Sequence, residues 1–263
     1  MNKLSSKLKR RKTLFDRDWK LLKLCFDQYF LTRKQMELWL NLHYNLYDNA
    51  KRKDVLNKAL RMYYDMGFLE IFQDDFFKNY NLYSLTTKGI NALIRMDILC
   101  DNVEYSSTEH FKLKHDLVAT DIRILLEKMF PNSHWISDRI IKPEYYGDLI
   151  PDAEINLLNT EGKTINIAVE IELSRKSKFR YKQKFREYLK SDYHFVFYFV
   201  QDNVLGSIIL EMADAVTCRD NDRDMFITIN IADFLIKRHN TKVISNKMNT
   251  RLAEVFCDNI EQF

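Results

Sequence analysis

The sequence predicts a two-domain α+β protein, and three observations carry that expectation. Its 263 residues are too many for one ordinary small domain and enough for two, each with its own core. Apolar residues make up 46% and aromatics 13% of the chain, with only 5 Gly and 3 Pro, which is the composition of a globule dense in regular structure. The hydrophobic period also changes along the chain. Before residue 100 it reads as helices followed by a pair of short strands; from about residue 108 it reads α-β-β-β-α-β, then α-β.

Charge separates the two parts as well. Residues 1–95 hold 19 of the 41 Lys and Arg but only 10 of the 37 Asp and Glu, a net charge of +9, and the remainder carries −5. Such a split suggests a module for a polyanion joined to one with another task. The cysteines Cys25, Cys100, Cys218 and Cys257 stand far apart with no CxxC pair, so neither a zinc site nor a disulfide framework is expected. The basic N-terminus lacks a following apolar run, and Phe195 to Val200 is far too short to span a membrane, so a cytoplasmic, nucleoid-associated location is expected.

Residues 1–12 form a basic arm that includes Arg10 and Arg11 and no acid. A first helix follows, capped by Asp16 or Asp18, with Trp19, Leu22, Phe26 and Phe30 at helical spacing. Thr32 opens a short helical segment through Met36 and Trp39 to Leu40. Ala50 to Met66 makes a longer helix with Val55, Leu56, Ala59, Leu60 and Tyr63 on its inner side. Lys51, Arg52, Lys53, Lys58 and Arg61 lie on that third helix and are the candidate DNA contacts, together with Arg10 and Arg11. Gly67 then suits a left-handed helix end, Phe68–Phe72 and Tyr80–Leu85 read as two strands around a polar connection, and Thr86 caps another helix.

The run from Tyr64 to Gly89, YDMGFLEIFQDDFFKNYNLYSLTTKG, resembles winged-helix DNA-binding domains in its order of helix, Gly, strand, wing, strand and L-T-x-x-G. That resemblance covers about eighty residues, 13–100, and implies a helix in the major groove with the wing against the backbone.

In the second part, 108–240, the expected elements are a helix from Thr108 to Phe130, strands at His134–Ile141, Ile150–Leu158 and Thr164–Leu173, and a basic helix from Lys176 to Lys190. A buried strand at Phe195–Val200, a helix at Val204–Val216 and a strand at Met225–Ile231 follow, with a helical tail over 241–263. The chemistry is expected on the middle strands. Alternate residues of a strand share a face, which sets Glu170 beside Glu172 and Asp152 beside Glu154. A hairpin turning through Thr160-Glu161-Gly162 places Asp152 opposite Glu170.

Carboxylates crowded on one sheet face repel unless a cation lies between them, so Mg²⁺ is the expected cofactor, with Asp152 and Glu170 as ligands and Glu172 positioning water. The segment from Ser174 to Lys190 adds Lys176, Lys178, Arg180 and Lys184 to a dense run of cations suited to a phosphodiester, or else a solvated helix face.

Pro151-Asp152 and Glu170-Ile171-Glu172 resemble the nuclease signature PD…(D/E)xK, with Glu172 standing where that signature has Lys. Some restriction enzymes of that superfamily carry Glu at this place and still cleave; in other members the lysine comes from a neighbouring helix, where Lys178 or Lys184 can serve. More narrowly, His115-Asp116-Leu117, Pro151-Asp152-Ala153, Val169 to Ser174 with Lys176, and Arg180-Tyr181 together resemble the replication-relaxation family of plasmid and integrative mobile-element proteins, in which a winged helix precedes a nuclease-like domain. The resemblance implies double-stranded DNA as partner and a role in mobilisation, replication or transcriptional control, and a homodimer is expected because many winged-helix proteins bind paired half-sites. The alternative is an active Mg²⁺-dependent endonuclease or nickase using Asp152, Glu170, Glu172 and Lys184. His115 beside Asp116 reads first as a structural hydrogen-bonded pair.

Overall fold

The computed structural model describes residues 16–46, 48–73, 81–99, 112–144, 149–158, 162–217 and 224–255. The chain divides into two compact units, 1–120 and 121–263. The division falls inside a helix, α5 (Leu113–Met129), and not in the stretch between residues 100 and 108. Its first turns belong to the first unit because Leu113 and Leu117 pack around Phe30 and Leu82. The Leu117 carbonyl accepts from Gln35 at 2.9 Å, and Thr120 donates to Gln28 at 3.1 Å.

The first unit opens with α1 (16–27), which buries Leu21, Leu22, Leu24, Cys25 and Phe26. Phe30 was expected to continue that helix; instead Tyr29 turns the chain at φ 63° and Phe30–Thr32 forms strand β1. A three-residue strand with every side chain buried has no alternation to read. Helix α2 (Arg33–Tyr44) begins at a capping box: Thr32 accepts from the Gln35 amide at 3.2 Å, and Gln35 Oε1 accepts from the Thr32 amide at 2.9 Å. Helix α3 (Asn49–Asp65), capped by Asp48, buries Leu56, Ala59, Leu60 and Tyr63.

Gly67 (φ 68°) lets the chain reverse into β2 (Leu69–Phe72), which pairs antiparallel with β3 (Leu82–Leu85). The three strands lie in the order β1-β3-β2. Thr86 caps α4 (Thr87–Arg95): its hydroxyl donates to the Gly67 carbonyl at 2.6 Å and accepts from the Gly89 amide at 3.1 Å.

In the second unit the described strands form one seven-stranded sheet, β10-β9-β8-β7-β6-β5-β4. β4 (His134–Ser137) is half the expected length, and α6 (Asp138–Glu144) follows it at once. The ladder ends there because its partner does: Ser137 is opposite Ala153, the first residue of β5 (Ala153–Leu158). β5 pairs antiparallel with β6 (Thr164–Glu172) from Ala153↔Val169 to Leu158↔Thr164, with Gly162 at φ 76° in the turn between them. β6 then pairs parallel with β7 (Phe195–Val200) across α7 (Lys178–Tyr188), and β7 pairs parallel with β8 (Phe226–Asn230) across α8 (Asn203–Asp214).

The unbroken apolar run of β7 follows from burial on both faces. On one side Tyr198, Val196 and Val200 meet Phe185, Tyr188 and Ile209 from α7 and α8. On the other, Phe199 packs edge-on against Phe234 of α9 (Ile231–Lys237). The described part of the tail, 241–255, is mostly not the expected helix. β9 (Lys242–Ile244) adds to β8 through Thr228↔Ile244 and Ile229↔Val243, β10 (Asn249–Arg251) adds to β9, and among the described residues of the tail only Leu252–Val255 is helical, as α10. The open edge of β8 and the burial of Val243 and Leu252 outweigh the helical pattern of the tail. Residues 256–263 lie outside the described residues. Among the described residues no helix is long and apolar enough to cross a membrane.

Gly89 is required by close approach: a Cβ there would stand 2.4 Å from the Phe68 carbonyl oxygen. Gly89→Ala is therefore expected to destabilise the protein by about 1–3 kcal/mol, read as a lower urea midpoint at unchanged slope. An unaltered midpoint would contradict this packing.

Candidate functional site

The expected strand register is present, and it assembles a cluster of ionisable groups in the second unit. With Ala153 opposite Val169, Asp152 reaches the position facing Glu170. The Asp152 amide donates to the Val169 carbonyl at 3.0 Å, and Asp152 Oδ2 accepts from the Ile171 amide at 2.8 Å. Glu170 and Glu172 share the sheet face covered by α7, and each is only 1% exposed.

Carboxylates so deeply buried need counter-charge, and the basic segment after β6 supplies it. Lys184 Nζ is 2.6 Å from the Glu170 carboxylate, and Lys176 Nζ is 2.5 Å from Glu172 Oε1. Tyr188, one helical turn beyond Lys184, donates its hydroxyl to Glu170 as well. The Tyr181 hydroxyl accepts from the Lys176 amide at 3.3 Å, and burial beside Glu172 pushes the Tyr181 phenol up to about 12.

Burial pushes the Glu170 carboxyl above the usual carboxylate range; Lys184 opposes that shift and Asp152 reinforces it. For Lys184 burial favours the neutral amine, but Glu170, Asp152 and Glu172 together outweigh it and hold the ammonium charged. Tyr198, opposite Glu170 on β7, is raised by burial and by the nearby carboxylates. Its buried hydroxyl has no hydrogen-bond partner among the described residues. Glu154 lies further along β5 and accepts from the hydroxyl of Tyr193.

Asp152, Glu170 and Lys184 thus meet, and of the two candidate lysines it is Lys184 that reaches the carboxylates; Lys178 is exposed at the start of α7. Glu172 belongs to the same buried face but is held by Lys176, which is therefore committed to an internal ion pair and not available to a phosphate. Among the described residues no three His, Cys, Asp or Glu side chains are placed to hold a metal ion together. Glu170 already serves Lys184 and Tyr188. As they stand, these residues do not fit a divalent cation, and the charge compensation expected from Mg²⁺ is provided by two ammonium groups.

In the first unit, Lys51, Lys53 and Arg61 project from α3 as exposed cations, and none has an ion-pair partner among the described residues. Arg52 instead donates to the Leu46 carbonyl at 2.9 Å and to Asn49 at 3.2 Å, and Lys58 pairs with Asp54 at 2.7 Å. A hollow of about 240 Å³ beside α3 is lined by Arg33, Arg61, Tyr64 and Ile71, among others. His115 Nδ1 lies 3.2 Å from Asp116 Oδ1 at the start of α5. Arg10 and Arg11 lie outside the described residues.

The tyrosines were the part of the site that the sequence concealed. Tyr198 read as part of the buried strand FVFYFV, and Tyr188 fell within the basic helix with no role of its own. The available signals were the i, i+4 spacing of Lys184 and Tyr188 and the placement of Tyr198 beside Glu170 once β6 and β7 pair in parallel. No family model matches the chain, and no curated protein or solved structure matches it either.

Removing the ammonium tests the pair. Lys184→Met leaves Glu170 buried without a cation and should cost about 3–5 kcal/mol near neutral pH. Because the folded-state pKa of Glu170 is raised, protonation favours the native state. That contribution is complete below the unfolded carboxylate value and is lost as pH rises through the folded one. The deficit of Lys184→Met should therefore shrink on acidification, and Glu170→Gln combined with Lys184→Met should recover most of it. A deficit independent of pH in denaturant titrations would show that Glu170 is not its source.

Proposed function

We propose that this chain is a DNA-binding protein in which the first unit is a winged helix and the second a nuclease-like domain of the PD-(D/E)xK kind. The observation that carries the reading is the exposed set Lys51, Lys53 and Arg61 on α3, which has no ion-pair partner among the described residues. Cations without acidic partners on one helix are what a polyphosphate backbone requires, and each neutralised phosphate releases counterions. The order α1-β1-α2-α3-β2-β3, with Gly67 and the Thr86 cap around a short antiparallel pair, supports α3 as the helix that enters the major groove and the β2–β3 pair as the wing.

The second unit supports the reading by its order α5-β4-α6-β5-β6-α7-β7, in which α6 is an addition to the expected pattern, and by the meeting of Asp152, Glu170 and Lys184. Together with the sequence resemblance to the replication-relaxation family, these features favour a protein of a plasmid or integrative element. It acts in the cytoplasm on double-stranded DNA in mobilisation, replication or transcriptional control, as a homodimer on paired half-sites. Lys178 and Arg180, exposed at the start of α7, provide further phosphate contacts.

A second reading, a Mg²⁺-dependent endonuclease or nickase, is favoured by one observation: Lys184 stands against Glu170, as the lysine of the nuclease signature would. It would require Lys184 to release Glu170 to a cation, so DNA binding is the conclusion and cleavage the alternative.

Replacing Lys51, Lys53 and Arg61 together by Ala should weaken binding to duplex DNA and reduce the slope of log K against log salt by up to about 0.9 per lost phosphate contact. Unchanged affinity and slope in a salt titration would remove α3 from the interface. Supercoiled plasmid incubated with Mg²⁺ or Mn²⁺ should remain intact. Nicking that disappears in Glu170→Ala would instead establish the second reading.

A further inference from the structure

We infer that the exposed face of α7 binds single-stranded DNA, with Phe179 as the platform on which an unpaired base stacks and the neighbouring cations on its phosphates. Phe179 is 77% exposed, although its helix buries three other aromatic rings, Tyr181, Phe185 and Tyr188. A single exposed phenylalanine is ordinary; its surroundings are not. Lys176, Lys184 and Lys190 each have a carboxylate partner. Arg175, Lys178, Arg180, Lys182 and Arg186 have none among the described residues. Phe179, Lys182 and Arg186 recur at i, i+3 and i+7, so they line one face of the helix, turned away from the face that packs on the sheet.

A flat apolar ring within uncompensated positive charge matches a ligand that offers a flat apolar surface and regularly spaced anions. An unpaired nucleotide strand offers both, whereas a duplex keeps its base faces inside the stack. A lipid surface is the poorer match. The other apolar side chains of α7 face the core, so one ring is left where interfacial binding needs a continuous apolar stripe. The commitment to DNA rests on the reading of the chain given above. Strand-separated DNA adjoins duplex wherever replication or mobilisation begins, and this face would hold it.

The test is fluorescence anisotropy of the full chain with labelled oligo(dT) and with duplex DNA, in EDTA at fixed salt. Phe179→Ala should weaken oligo(dT) binding by at least about fivefold, with duplex affinity and the unfolding midpoint unchanged. Phe179→Trp should bind like the parent and lose tryptophan emission as oligo(dT) is added. Undiminished oligo(dT) binding by Phe179→Ala, or an equal loss for duplex, overturns the proposal. So does a preference for oligo(rU), or for phosphatidylglycerol vesicles, over oligo(dT). The absence of metal keeps this result separate from cleavage. Failure of duplex binding with intact, Phe179-dependent binding of oligo(dT) would refute the winged-helix reading and leave this one standing.

Discussion

The contact between Lys184 and Glu170 governs how the second unit is put together. Glu170 lies in the middle of a sheet, in β6, where one neighbour runs antiparallel and the other parallel, and it is shut off from water. A carboxylate there costs several kcal/mol unless a charge and hydrogen bonds meet it. Lys184 and Tyr188, one helical turn apart on α7, both reach it, and this fixes the rotation of the helix about its own axis. With that rotation set, Tyr181, Phe185 and Tyr188 turn onto the sheet, where Phe185 meets Phe226 at 4.9 Å between ring centroids. Phe179, Lys182 and Arg186 turn outward. The core and the exposed cationic face are two consequences of one ion pair.

The same requirement is repeated one step along the strand, where Glu172 takes Lys176. Two of the three carboxylates of the cluster, Glu170 and Glu172, are thereby each met by an ammonium group. Deep burial raises Glu170 and the tyrosines around it, so the cluster resists ionisation changes at Tyr188 and Tyr198 through the neutral range. Arrangements of this kind favour a single docking of helix on sheet over neighbouring ones, because a slipped register strands a buried charge.

The first unit is organised differently, by backbone bonds at element ends. The Thr32–Gln35 box, the Asp48 cap and the Thr86 cap set where α2, α3 and α4 begin. Gly67 and Gly89 allow the chain to fold tightly around Phe68. The positive side chains of α3 sort themselves by distance to local acceptors: Arg52 and Lys58 are consumed within the helix and its approach, whereas Lys51, Lys53 and Arg61 have no such partner among the described residues.

Much of this was legible from residues alone. Period-two alternation with a glycine turn was enough to pair β5 with β6 and bring Asp152 to Glu170, because register and strand parity are local properties. Capping chemistry located Thr86, and the apolar run of β7 announced a strand buried on both faces. What the sequence could not contain were choices made by distant partners. β1 is a strand only because β3 lies beside it, and β9 replaced an expected helix because β8 had an edge to fill. Lys184 rather than Lys178 meets Glu170 because only the docked helix sets which lysine lies opposite β6. Periodicity and turn residues act within a few positions, so the sequence by itself determined the elements and the acidic face. Counter-charges and sheet edges are chosen by what lies opposite in space, so only the tertiary structure decided which groups neutralise that face.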